Sequence, residues 1–250
     1  PPRSTLFPYT TLFRSPADAK RAIPLYRRAL AIDPKLALAH NNLGVGLLDA
    51  GDLTGAIEAW RRALALDPKL AQAHSNLGLG LMKQGDLGGA IDEYRQAIDL
   101  NPRLAPPHYN LGSALGLSGD LPGAIEENHR AVAADPGDPL AHFNLGTALD
   151  ESGDLAGACA ALQRAIEIDP NEKRAHLNLG GVHYKSGDLA GAIAAYRRAI
   201  EIDPTYAKAH YCLGIALKDS GDLRGAIEEW RSAIASDPMN IVQCVTGILS

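Results

Sequence analysis

Cysteine is scarce in this chain: Cys159, Cys212 and Cys244 are the three in 250 residues, and their positions follow no pairing pattern. A disulfide framework is not expected, and a reducing, cytoplasmic setting fits. Long apolar runs are missing too. None approaches the roughly 18 residues of a membrane span, so no membrane insertion is expected. An excess of positive charge is absent, since the formal net charge is −5, which argues against a general affinity for polyanions. Aromatic residues make up 5% of the chain. No stretch alternates apolar and polar residues as a strand does, and no glycine-rich phosphate loop follows a strand.

What is present is repetition. Leu-Gly returns every 34 residues at Leu43–Gly44, Leu77–Gly78, Leu111–Gly112, Leu145–Gly146, Leu179–Gly180 and Leu213–Gly214. Gly-Asp-Leu returns at Gly51, Gly85, Gly119, Gly153, Gly187 and Gly221, and Asp-Pro or Asn-Pro closes each unit from Pro68 to Pro238. A fixed period of this length is the mark of a solenoid, in which each unit buries its surface against its neighbours. Six full units follow one another: 37–70, 71–104, 105–138, 139–172, 173–206 and 207–240.

The ends differ from this pattern. In residues 1–15, Thr5–Ser15 reads like a DNA-sequencing adapter translated into protein. The stretch is expected to be a cloning scar, the alternative being a disordered or β-prone leader. Residues 16–36 match only the second half of a unit, with Ala22, Tyr26, Ala29 and Pro34 in register. Pro24 falls inside the helix expected there, where it removes a hydrogen bond and crowds the preceding turn. That segment is expected to be kinked or frayed. Residues 241–250 are apolar and irregular, and are expected to mark a truncated chain or a slipped reading frame, leaving an uncapped, self-associating repeat end.

Each unit reads as a helix, a turn and a helix. In the first, Leu43, Gly44 and Leu47 share one helical face. Gly51 suits the left-handed stop and Asp52 the N-cap of the next helix. Ala56, Trp60 and Ala63 then share the facing stripe, and Pro68 forbids further helix. Gly44 and Ala56 let the axes approach, and Trp60 fills the space between units. Tyr94, Asn128, Leu162, Tyr196 and Trp230 hold the same place, so Asn128 marks an expected soft spot.

This spacing, from Leu43–Gly44 through Ala56, Trp60 and Ala63 to Pro68, resembles the tetratricopeptide repeat. The resemblance covers residues 37–240 and half a unit before them. It implies an all-α, right-handed superhelical solenoid whose first helices line a concave groove that binds a peptide or a partner protein. One departure is uniform: Gly55, Gly89, Gly123, Gly157, Gly191 and Gly225 stand where the family commonly has Glu. The capping-box partner is thereby lost and the helices are expected to be less stable.

Three patterns could carry chemistry. The first is a histidine series, His40, His74, His108, His142, His176 and His210. Each lies on a different helix with no second ligand four residues away, so packing is expected and no metal or cofactor is implied. The second is an asparagine series, Asn42, Asn76, Asn110, Asn144 and Asn178, broken by Cys212. Asparagine is a mediocre mid-helix residue, but its amide offers the donor and acceptor needed to grip an extended peptide backbone. This resembles the asparagine ladder in the groove of O-linked N-acetylglucosamine transferase repeats. The alternative is that the amides only bond neighbouring helices or local backbone. The third pattern is charge. By the family resemblance Leu38, Val45, Leu48, Leu79 and Met82 line the early groove. Asp150, Glu151, Arg174, Tyr184, Lys185, Lys208, Lys218 and Asp219 line the later part.

The family's dicarboxylate clamp for chaperone tails is missing, because its lysine position reads Asn41, Ser75, Tyr109, Phe143, Leu177 and Tyr211. Glu126–Glu127 and Glu228–Glu229 diverge by about 100° on a helix and are expected to face solvent. Arginine pairs such as Arg61–Arg62 are offset by nearby acids and lack interleaved aromatics, so nucleic-acid binding is not expected. No catalytic signature is found. The reading is a non-enzymatic interaction scaffold. Its alternative is the non-catalytic portion of a larger enzyme, such as a glycosyltransferase or a kinase.

Overall fold

The computed structural model describes residues 16–237, with side chains from residue 22 onward. The adapter-like stretch 1–15, Pro238 and the tail 241–250 lie outside the described residues. Among the described residues there are 13 α-helices and no strand. The chain divides into two compact units, Pro1–Ser118 and Gly119–Ser250. In the first lie α1 (Pro16–Ile32), α2 (Ala37–Asp49), α3 (Leu53–Leu66), α4 (Ala71–Gln84), α5 (Leu87–Leu100) and α6 (Ala105–Leu117). In the second lie α7 (Leu121–Ala134), α8 (Pro139–Ser152), α9 (Leu155–Ile168), α10 (Lys173–Lys185), α11 (Leu189–Ile202), α12 (Ala207–Asp219) and α13 (Leu223–Ser236).

Within each unit, helices pack on their neighbours in the chain. The first helices of consecutive repeats also meet, α2 on α4 and α4 on α6, then α8 on α10 and α10 on α12. The turn inside a repeat works as its residues predict. Gly51 adopts φ +88°, and five further glycines at the same repeat position are also left-handed. Asp52 then caps α3 by accepting from the Gly55 N–H at 2.9 Å. A Cβ at residue 55 would lie 2.5 Å from Asp52 Oδ2. Glycine therefore leaves room for the carboxylate to fold over the helix start, giving a one-sided cap in place of a capping box. Between repeats, Asp67 turns the chain by accepting from the Lys69 N–H at 3.0 Å.

The core is made of small residues with one large plug per repeat. Ala56 and Ala63 are fully buried and Trp60 is 1% exposed. Trp60 lies against Gly44 of its own repeat and beneath Gly80 of the next, so one ring seals two helix contacts. Its indole N–H donates to the Asn41 carbonyl at 3.1 Å. Tyr94 packs in the same way on Gly78, Leu162 on Gly146, Tyr196 on Gly180 and Trp230 on Gly214. Asn128 is buried like the aromatics, but its side-chain oxygen has no hydrogen-bond partner. Such an atom costs about 1–3 kcal/mol, in keeping with the soft spot expected there.

One local expectation fails. α1 continues through Pro24 as a single helix rather than fraying. Pro24 is exposed, Ala22 on the other side is buried, and α1 packs along α2. The proline forfeits a hydrogen bond on the solvent side while packing holds the helix.

Candidate functional site

In the first unit the first helices α2, α4 and α6 enclose a hollow of about 420 Å³. Leu38, Val45, Leu104 and Pro107 give it apolar walls, and Asn41, Asn42, Ser75 and Asn76 give it polar ones. Pro106 and Pro107 fit at the start of α6, where no backbone donor is needed. The amides form a chain: Asn76 Nδ2 donates to Asn41 Oδ1 at 2.9 Å, and Asn41 Nδ2 donates to Asn42 Oδ1 at 3.2 Å. A chain that runs donor to acceptor keeps one of each at its ends, an acceptor on Asn76 and a donor on Asn42. Asn41 was not among the residues expected to take part. Its signal in the sequence was a polar residue at a place that becomes Tyr109, Phe143 and Leu177 further on.

The other asparagines behave differently. Asn110 is half-buried on α6. Asn144 Nδ2 turns back to the Leu140 carbonyl of its own helix at 2.8 Å. Asn178 Nδ2 reaches Thr147 Oγ1 on the preceding first helix at 3.1 Å. The amides thus serve helix-to-helix bonding in several places. Leu48 and Met82 are half-buried further along α2 and α4.

In the second unit the charged positions are tied to one another. Lys185 reaches both oxygens of Asp150 at 2.8 Å, joining α10 to α8. The Tyr184 hydroxyl donates to Asp219 Oδ2 at 2.5 Å, joining α10 to α12. That bond raises the Tyr184 pKa and lowers that of Asp219. Lys218 lies 3.4 Å from Asp219, and Lys208 is exposed on α12. Arg174 grips Glu172 through two nitrogens and stacks 5.0 Å from the Phe143 ring centre. Asp203 is held low, at about 2, chiefly by the hydrogen bond from Lys173.

The histidine series does a job that the sequence reading left unspecified. In all six repeats the ring Nε2 lies 3.0 Å from the carbonyl of the proline six residues earlier, from Pro34 to Pro204. A carbonyl only accepts, so Nε2 carries a proton and pins the turn between repeats. Two contacts show what the other ring nitrogen can do: His74 Nδ1 meets Glu93 and His210 Nδ1 meets Glu229, both at 2.6 Å. The expectation that Glu229 faces solvent is therefore corrected. Glu127 is also buried, 8% exposed, with Arg130 bonded to it. Helix faces alone hid this for Glu229, because its partner His210 comes from a different helix, α12. Among the described residues, no group of three or more His, Cys, Asp or Glu is placed to hold a metal ion. No helix among them is long and apolar enough to cross a membrane.

Comparison with known proteins agrees with this architecture. The family model described as "TPR repeat" matches residues 47–85, 80–119 and 182–221. A second, "Tetratricopeptide repeat", matches residues 109–173. The curated proteins contain no match. Among solved structures, the APC/C hetero-tetramer Cut9–Hcn1 aligns with TM-score 0.80 at 19% identity, over 90% of this chain and 46% of that chain. The present chain thus spans less than half of that relative. MamA aligns with TM-score 0.59 at 27% identity, over 66% of this chain and 96% of its own. YrrB, titled a TPR protein with an unusual peptide-binding site, aligns with TM-score 0.55 at 24% identity, over 75% and 97%. With helix pairs closed over the repeat glycines, and the two repeat models together matching residues 47–173 and 182–221, this chain belongs to the tetratricopeptide repeat family.

Proposed function

We propose that the chain is a protein-interaction module that holds an extended peptide segment of a partner along the first helices of its repeats. The observation that carries this reading is the hollow of about 420 Å³ between α2, α4 and α6. It combines apolar walls with an amide chain whose ends offer an acceptor on Asn76 and a donor on Asn42. An extended backbone needs that pair, and side chains of the peptide would fill the apolar part. The family supports the interaction role in general, and the peptide-binding site named for YrrB is a precedent in that protein. The ties of Lys185 to Asp150 and of Tyr184 to Asp219 leave the second unit less to offer a charged ligand, so the first unit is assigned the main contact.

The test is a peptide display screen followed by affinity measurement on the best binder. Replacing Asn42 and Asn76 together by Ala should weaken it about 10- to 30-fold, the worth of roughly two hydrogen bonds. Melting curves of the variant check that the fold is kept. Unchanged affinity in a folded double variant removes the amide chain from the reading. A screen that returns no binder to the full chain removes the groove.

A further inference from the structure

The position nineteen residues after each repeat histidine is Glu in three full repeats, at Glu93, Glu127 and Glu229, and Ala in the other three, at Ala59, Ala161 and Ala195. In the repeats of His74 and His210 the Glu carboxylate lies 2.6 Å from the ring Nδ1. His176 makes the same outer bond as they do, Nε2 to the Pro170 carbonyl at 3.0 Å, so its ring is set the same way. Its Nδ1 therefore faces Ala195, where the carboxylate of a glutamate would be. That place is open. α9, α10 and α11 surround a hollow of about 410 Å³ whose lining includes His176 and Ala195. His176 is 7% exposed, so a nearly buried ring presents one unpartnered nitrogen to this hollow.

We propose that the hollow is a docking site for an acidic side chain of a partner protein, its carboxylate seated on His176 Nδ1. The chain itself supplies the precedent, filling the equivalent place with its own carboxylate at Glu93 and Glu229. Ile166 and Leu179 offer apolar wall for the methylene stem of such a side chain. The charged groups around the ring are already engaged. Glu167 on α9 is bonded by Arg164 at 2.8 Å, and His183 on α10 is 2.9 Å from Asp188 at the start of α11. With a carbonyl on Nε2 and a carboxylate on Nδ1, both ring nitrogens donate. Docking onto a neutral ring thus takes up one proton from solvent. The site shares no residue with the hollow of α2, α4 and α6 and does not depend on the groove reading.

Imidazole ¹H–¹⁵N spectra of the full chain test this directly, with N-acetylglutamate N-methylamide as the probe. The His176 ring signals should move to saturation toward those of His74 and His210. The glutamine analogue should bind about tenfold more weakly, the difference that loss of a charge-assisted hydrogen bond makes. Ala195→Glu brings the carboxylate in from within, so it should shift His176 without ligand and abolish the response. If that variant does not fold, Ala195→Gln fills the same space and should block the probe. An unmoved His176 signal in the unaltered chain overturns the proposal. So does an undiminished response in the folded Ala195 variant. Acetate binding as tightly as the glutamate probe overturns the assignment to a protein side chain in favour of a free carboxylate.

Discussion

A buried polar atom costs most where nothing answers it, and the side chains of Tyr94 and Asn128 each contain one. Burial pushes the Tyr94 hydroxyl well above its usual pKa, so it stays protonated and merely fills space. Tyr94→Phe should therefore leave thermal stability unchanged or raise it, by up to about 1 kcal/mol. Asn128→Leu should stabilise by about 1–2 kcal/mol, since it removes an unpaired oxygen and keeps a similar volume. Both changes are read by chemical denaturation. Glycine at residue 44 has the opposite character. A Cβ there would press into the Trp60 ring, which is held by Asn41 and cannot retreat. Gly44→Ala should lower stability by about 1–3 kcal/mol through overpacking.

At the scale of the helix, the turn between repeats is where the fold is latched. His74 ties the Pro68 carbonyl to Glu93 on α5, so one ring joins a turn to a second helix. A double-mutant cycle of His74→Ala and Glu93→Ala should give a coupling of about 1–2 kcal/mol, because the pair is partly buried and charge-assisted. A second tie links α10 to the turn before α12, through Lys173 and Asp203. The Asp203 carboxyl is lowered to about 2. A lowered carboxyl adds stability above its unfolded value of about 3.9, and that contribution is lost as pH falls through the folded value. Carboxyl titration by NMR should show the Asp203 midpoint moving up toward the ordinary range in Lys173→Met.

At the scale of the whole chain, contacts run between nearby helices, and stability in such arrays is a sum of local terms. The two tryptophans report on different units. Trp60 is 1% exposed, whereas Trp230 is half-buried beside Ile227 and Ile234, which are 48% and 53% exposed. Single-tryptophan variants, Trp60→Phe and Trp230→Phe, allow denaturant unfolding to be followed in each unit. The Trp230 signal should change at a lower midpoint than the Trp60 signal. Coincident midpoints would mean that the repeats unfold as one body.

Repeat period, helix pairs, the glycine stops, the aspartate caps and the aromatic plugs were all legible in the sequence. They depend on residues close together in the chain, on backbone preference and on helical spacing, and these are local properties that a 34-residue period repeats. The role of the histidines was not legible, because a proline carbonyl carries no side-chain signature and Glu93 comes from another helix. Nor was the use of the asparagines. Position alone makes Asn42, Asn76, Asn144 and Asn178 equivalent, yet one amide joins a chain across two helices while another turns back on its own. Tertiary structure decided these outcomes for a physical reason. A hydrogen-bonding side chain takes the nearest partner that packing brings within about 3 Å, and across helices that partner is set by how the repeats stack.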